Sequence, residues 1–267
     1  MPQAEGMTQS SSTANRWAQR RIGITGARGR LGQALAKQLR SRGAIVVGLT
    51  HGSIPASTCC TDEPQQWVRW QCGAEQALDD TLRDLDILVL NHGINPHGGQ
   101  SPEALNAALE VNALSSWRLM ERFEAVVSDR NSLAGHRSDG IGPDRNSSAL
   151  PCELWINTSE AEIQPALSPA YEISKRLIGQ LVSLRWCNRS SEQRSALRIR
   201  KLVLGPFRSE LNPIGVMSAD LVADQVIKQV ELGLSLIIVT PNPLTYVLMP
   251  LTELARWIYG RLLRQNP

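Results

Sequence analysis

A tyrosine and a lysine four residues apart, Tyr171 and Lys175, are the side chains in this sequence best placed to move a proton. At i and i+4 of a helix they share one face. A nearby ammonium stabilises phenolate and draws a tyrosine towards the working range of an acid or base. The segment before them ends Asn157-Thr158-Ser159, so Ser159 supplies a hydroxyl to hold a substrate oxygen. Thr158 and Ser168 are alternatives for that duty.

Far upstream, Thr25-Gly26-Ala27-Arg28-Gly29-Arg30-Leu31-Gly32 follows an apolar strand and opens a helix. In that context Gly26 permits a tight turn, Gly29 lets backbone approach a pyrophosphate, and Gly32 allows close packing of helix on strand. The helix N-terminus, beginning near Leu31, attracts the anionic phosphates. A site that prefers NAD carries a carboxylate at the end of its second strand. Here that strand ends Gly48-Leu49-Thr50-His51, and Arg28 and Arg30 stand ready for a 2′-phosphate. NADP is therefore expected, with NAD the alternative.

The elements that must hold these residues alternate along the chain. Strands are expected at residues 21–25, 44–49, 67–71, 86–90, 154–158, 197–204 and 236–239, with helices between them. Such alternation predicts an α/β fold, a doubly wound parallel sheet of the Rossmann type, in one domain over residues 20–241. Ser101 is expected to cap a helix, with Pro102 at its first position. Residues 1–19, rich in Gln, Ser and Thr, are expected to be disordered. Residues 128–150 read as an inserted surface loop, and residues 242–267 as an amphipathic tail.

The chain has 267 residues, is 42% hydrophobic and carries a formal charge of +3. That suits a single core and, without basic runs among aromatics, argues against nucleic acid. Five cysteines without Cys-x-x-Cys spacing, and an N-terminus without an apolar core, point to reduced thiols in a cytoplasmic protein. Cys59-Cys60 reads as incidental. No eighteen-residue apolar run is present to span a bilayer.

Together these motifs resemble the short-chain dehydrogenase/reductase family over about residues 21–240. The resemblance rests on the glycine turn, Asn91-His92-Gly93, Val111-Asn112, Ser159, Tyr171 with Lys175, and Gly205-Pro206. It implies that Tyr171 exchanges a proton with a carbonyl or alcohol oxygen and that Ser159 orients that oxygen. Lys175 would bind the nicotinamide ribose and depress the tyrosine pKa, and Asn112 would hold a water linking Lys175 to solvent. Asn91, His92, Gly93, Gly205, Pro206 and Ser209 would contact the cofactor.

The sequence departs from the family pattern in its serine spacing, in the bulky His92, and in Gln71-Cys72-Gly73 where an aspartate is usual. Its narrower wording is similar to the reductase part of proteins known as bifunctional sterol desaturase/short-chain dehydrogenases. Four scattered histidines cannot form the clusters of a di-iron desaturase.

The function expected is hydride transfer between a nicotinamide cofactor and an apolar carbonyl or alcohol substrate. A non-catalytic sensor or scaffold that keeps the dinucleotide site is the alternative. An epimerase or dehydratase, whose glycine spacing the turn matches, is a third reading, though the further C-terminal substrate domain of such proteins is not seen.

No metal is expected, despite His92 and His97; His92 reads either as a packed imidazole or as a group tuning the site. Glu160 and Glu162 read equally as a substrate-binding acid pair or a solvated loop edge. The tail reads as a membrane-surface helix, a lid or an oligomer contact, and Trp117 lies on a helix that often joins a dimer.

Overall fold

The computed structural model describes residues 16–54, 62–135 and 150–263. Seven strands form one sheet in the order β3-β2-β1-β4-β5-β6-β7, every pair parallel. They are β1 (Arg21–Thr25), β2 (Ile45–Thr50), β3 (Gln66–Arg69), β4 (Ile87–Leu90), β5 (Cys152–Ser159), β6 (Leu197–Leu204) and β7 (Leu236–Val239). The inner strands are near-continuous Val, Ile and Leu because helices cover both of their faces.

Helices α1 (Arg30–Ser41) and α7 (Ala219–Glu231) touch each other across one face. The other face carries α2 (Asp79–Arg83), α4 (Ser115–Gly135) and α5 (Pro169–Asn188). Alternation along β5 splits the core accordingly: Trp155 packs with the α1/α7 side, and Leu154 and Ile156 with the other. The strand order reverses between β1 and β4, and the crevice beyond their C-terminal ends is the position at which such sheets bind ligands.

Local chemistry explains the element ends that frame this crevice. α3 (Pro102–Leu109) starts as expected, the Ser101 hydroxyl accepting from Ala104 N–H at 3.2 Å. Between α3 and α4 the helix widens into a π-helical turn, Glu110–Leu114, which carries Asn112. A short helix, α6 (Ser191–Ala196), is closed by a Ser190/Gln193 capping box. The last helix, α8 (Pro243–Leu263), runs from the end of β7 along α5.

Two boundaries differ from expectation. Residues 16–19 belong to the fold: Trp17 is buried edge-on to Trp155, and Arg16 pairs with buried Glu153 at 2.6 Å. Residues 1–15, and Cys59 and Cys60, lie outside the described residues. The expected loop at residues 128–150 starts too early, because α4 continues to Gly135. Its low apolar content hid a helix whose early turns bury Leu119, Met120 and Phe123.

Residues Pro243–Leu263 of the tail form one helix despite Pro250. Its inward stripe holds Thr245, Met249, Glu253 and Arg256, while Leu244, Val247, Leu251, Leu254, Ile258 and Leu262 stay exposed.

Candidate active site

The C-terminal ends of β1, β4, β5 and β6 open into a cleft of about 930 Å³. The sequence-expected residues Gly26, Gly29, Arg30, Leu31, Asn91, His92, Gly93, Ser159, Tyr171, Lys175, Gly205, Pro206 and Ser209 all line it. Residues nearly two hundred positions apart are thus gathered by strand order alone.

At the glycine turn, Gly26 has φ +63°, and a Cβ there would stand 2.9 Å from the Asn91 carbonyl. A Cβ on Gly32 would lie 2.4 Å from the Gly26 carbonyl, so α1 seats directly on the turn. Gly29 caps α1 without a side-chain bond, and Arg30 and Leu31 at the first turn line the cleft. An uncapped helix start facing a cleft is a ready anion site, and these residues fit a dinucleotide pyrophosphate.

The two arginines of the turn separate. Arg28 reaches the end of β2, its Nη1 donating to the Ser53 carbonyl at 3.0 Å. Arg30 lines the cleft and pairs with Glu210 at 3.1 Å, both side chains exposed. Thr50 is buried and its hydroxyl accepts from Gly52 N–H at 3.1 Å, which shapes the turn under Arg28.

Beside the turn, the Thr25 hydroxyl accepts from the Asn91 and His92 amides at 2.8 and 3.2 Å and faces the Val89 carbonyl at 3.2 Å. His92 Nδ1 lies 2.9 Å from the same oxygen. Burial, reinforced by His51 and Lys175, holds the His92 pKa down to about 3. His92 is therefore a neutral, packed imidazole, edge-on to Trp70 at 5.1 Å.

At the proton-transfer end, α5 presents Tyr171 and Lys175 towards Ser159. Burial raises the Tyr171 pKa, the hydrogen-bonding hydroxyl of Ser159 pulls it back, and the charge of Glu160 raises it further. The expected depression of the phenol is not what this geometry yields, because desolvation is the largest influence on it. Burial also lowers Lys175 to about 8, while its ammonium donates to the Asn157 carbonyl at 3.1 Å. At neutral pH the pair is a phenol beside an ammonium.

Of the three hydroxyls considered for the substrate oxygen, Ser159 is the one that acts on the phenol. The Thr158 hydroxyl turns into the sheet, donating to the Leu202 carbonyl at 3.1 Å. Asn112 accepts from Ile94 N–H at 2.7 Å and donates to the Ile94 carbonyl and to the Ser174 hydroxyl, both at 2.9 Å. Ser174 in turn donates to the Tyr171 carbonyl at 2.8 Å, so the Asn112 side chain clamps the β4 loop to α5.

The two glutamates diverge. Glu162 is buried on Lys201 at 2.6 Å and faces away from solvent, overturning both readings of it. Glu160 lines the cleft, its Oε2 accepting from Thr240 at 2.5 Å and Thr245 at 3.3 Å. Thr240 and Thr245 carried no signal in the sequence, because only the fold brings the end of β7 beside the end of β5.

An all-parallel sheet with this glycine turn, and a Ser159–Tyr171–Lys175 group at its crevice, defines a Rossmann-fold oxidoreductase of the short-chain dehydrogenase/reductase kind. Residues 22–219 match the NAD dependent epimerase/dehydratase family, and the chain belongs to that family of NAD(P)-dependent enzymes.

It is 39% identical over 244 residues to monoglucosyldiacylglycerol epimerase of Synechocystis sp., covering 91% of this chain and 54% of the relative. The chain thus spans about half the length of the curated relative it matches. In fold it is similar to a short-chain dehydrogenase from Burkholderia cenocepacia in complex with NADP (TM-score 0.67, 17% identity, 92% of this chain and 98% of that one). A short-chain dehydrogenase from Sphingobium yanoikuyae in complex with NADPH superposes equally well (TM-score 0.68, 16% identity, 93% and 96%).

Proposed function

We propose that the chain uses NADP(H) to oxidise and re-reduce a carbinol carbon on the sugar headgroup of a glycolipid, inverting that carbon. The observation that carries this reading is Tyr171, Ser159 and Lys175 together in the cleft that holds the uncapped start of α1. Gly26, Gly29, Leu31, Asn91 and Lys175 would hold the dinucleotide, with Arg28 at the 2′-phosphate. When bound, the dinucleotide accepts a hydride and returns it.

The chain's own residues handle the oxygen and its proton. Ser159 holds the substrate hydroxyl, and Tyr171 takes its proton as the carbon becomes a ketone. For that step Tyr171 must first have released its own proton to solvent. Lys175, still charged at neutral pH, stabilises the phenolate that acts as base, and taking the substrate's proton returns it to the phenol. After the sugar presents its other face, Tyr171 returns the proton to the oxygen. Oxidation and reduction cancel, so no external reductant is consumed.

Two features support a lipid-borne substrate in place of a free apolar ketone. The Synechocystis relative is named for a glucosyl diacylglycerol. The outer face of α8 exposes the apolar residues named above, together with Tyr246, Trp257 and Tyr259, and Arg261 lies near its end. An outer face of that composition suits a bilayer surface. Among the described residues no helix is long and apolar enough to cross a membrane. A peripheral position on a cytoplasmic membrane face accords with Cys72 and Cys152 being reduced thiols.

The test is turnover of a glucosyl diacylglycerol in mixed micelles with NADP+, read as change in sugar composition. Tyr171→Phe should bind NADPH normally and lose about 10²- to 10⁴-fold in rate, the range for a positioned acid–base group. Unchanged turnover in that variant would defeat the reading, and NADPH binding with no turnover of any glycoside would favour a sensor.

A further inference from the structure

The geometry points to Glu160 and Ser168 as a subsite that recognises the hydroxyls of a sugar ring, a role that rests on the glycolipid reading above. Glu160 follows Ser159 directly and lines the same cleft, and its charge acts on Tyr171. Its partners are hydroxyls: Thr240 and Thr245 both donate to Oε2, and no cation takes part in the contact. A carboxylate that opens onto a cleft with one oxygen tethered retains acceptor sites for a ligand's O–H groups.

The tether is a closed ring. Gln164 Nε2 donates to the Thr245 hydroxyl at 2.9 Å, and Asn242 Nδ2 donates to Gln164 Oε1 at 2.6 Å. The Asn242 amide completes the circuit by donating to the Thr240 hydroxyl at 3.1 Å. Thr240 and Thr245 are buried, so the ring fixes the Glu160 rotamer before any ligand arrives. The Gly205 turn leans on this ring, since a Cβ there would stand 2.3 Å from Thr240 Oγ1.

Ser168 is the second, independent observation. It lines the same cleft, is only 4% exposed, and its hydroxyl has no hydrogen-bond partner in the protein. Buried polar groups are normally satisfied, and an orphan at a cleft is completed by what the cleft holds. A hydroxyl that both donates and accepts, with a fixed carboxylate that accepts, matches adjacent hydroxyls on a sugar. Neither matches a ketone with alkyl arms. The exposed apolar residues Leu167 and Ile214 at the rim suit the lipid portion.

The test uses the full chain loaded with NADP+ and methyl glucoside as probe, with binding read by calorimetry and ligand-observed NMR. Glu160→Gln should weaken methyl glucoside roughly ten- to hundredfold, the scale of a hydrogen bond to a charged group. NADPH affinity should stay within twofold, and the KM for glucosyl diacylglycerol should rise far more than kcat falls. Ser168→Ala should weaken the glycoside a few fold, and it lies outside the ring, so it reads the subsite even if Glu160→Gln fails to fold.

Thr240→Val, which keeps the carboxylate but loosens it, should fall between the two. Wild-type affinity in folded Glu160→Gln and Ser168→Ala proteins, or no binding of methyl glucoside to the wild type, would overturn the inference. Glycoside binding that depends on Glu160 without turnover would sink the epimerase reading and keep the subsite; turnover with Glu160-independent binding would do the reverse.

Discussion

Lys201 on β6 and Glu162 behind the active-site loop meet at 2.6 Å, and neither side chain has any exposed surface. The same ammonium donates to the Gly179 carbonyl at 3.0 Å and to Glu253 of α8 at 2.9 Å. One buried cation therefore ties the loop after Ser159, helix α5 and the outer helix α8 together. A Cβ on Gly179 would fall 1.9 Å from Glu162 Oε2, so glycine is what lets the pair form against α5.

Lys201→Met should destabilise the protein by about 3–5 kcal/mol, because it leaves the buried Glu162 carboxylate with only the more distant Arg256, at 3.8 Å. Urea unfolding measures this. The double variant Lys201→Met/Glu162→Met should recover most of the loss, and an equal loss in the double variant would mean that packing, not charge, dominates.

His92 makes stability fall in acid. Its folded pKa of about 3 lies below the unfolded value of 6.5, so above pH 6.5 neither state binds the proton and its contribution is complete. Below pH 6.5 the unfolded chain takes a proton that the folded one refuses, and stability declines progressively towards pH 3. His92→Asn should flatten that slope in pH-dependent denaturation, and the wild-type His92 ring should show no NMR titration between pH 5 and 8.

Lys175 acts on the alkaline side. Its folded pKa of about 8 lies below the unfolded 10.5, so the burden of a buried ammonium is fully present below pH 8. Between 8 and 10.5 the unfolded chain holds more protons, and stability rises with pH through that window. With Lys175 at the nicotinamide ribose, as proposed, NADPH affinity should move oppositely, falling above pH 8 as the ammonium is lost. Fluorescence titrations from pH 6.5 to 9.5 would show it, and Lys175→Met should remove the dependence.

Arg28 should set the choice of cofactor. Its guanidinium stands over the end of β2, where the chain has Thr50 and no carboxylate. Arg28→Ala should weaken NADPH about tenfold or more while changing NADH little, the scale of a lost charge-assisted bond. Arg30→Ala should show the smaller effect, since Arg30 already faces Glu210; the reverse ranking would reassign the two.

Most of the frame was legible before any coordinates. The apolar runs of β1, β2, β4, β5 and β6 lack competing periodicities, and the glycine turn has a backbone requirement that few residue types meet. What misled were ends and partners. Trp17 sits in a polar stretch and gave no local sign that Trp155 awaits it across the sheet. The polar composition after Ser128 hid the last turns of α4, which are helical by continuation from a buried stretch and not by their own pattern.

The sequence by itself determined the strand–turn–helix cradle, the Tyr171/Lys175 pairing on one helical face and the order of the motifs. Each of these depends on residues within a few positions of one another, where spacing translates directly into geometry. Only the tertiary structure decided that Glu162 is buried on Lys201 while Glu160, two residues away, opens to the cleft. It also decided that Arg28 and Arg30 diverge, and that burial moves Tyr171 up and Lys175 down. Those outcomes depend on which distant groups surround a side chain and how much water they exclude, and local spacing carries no record of either.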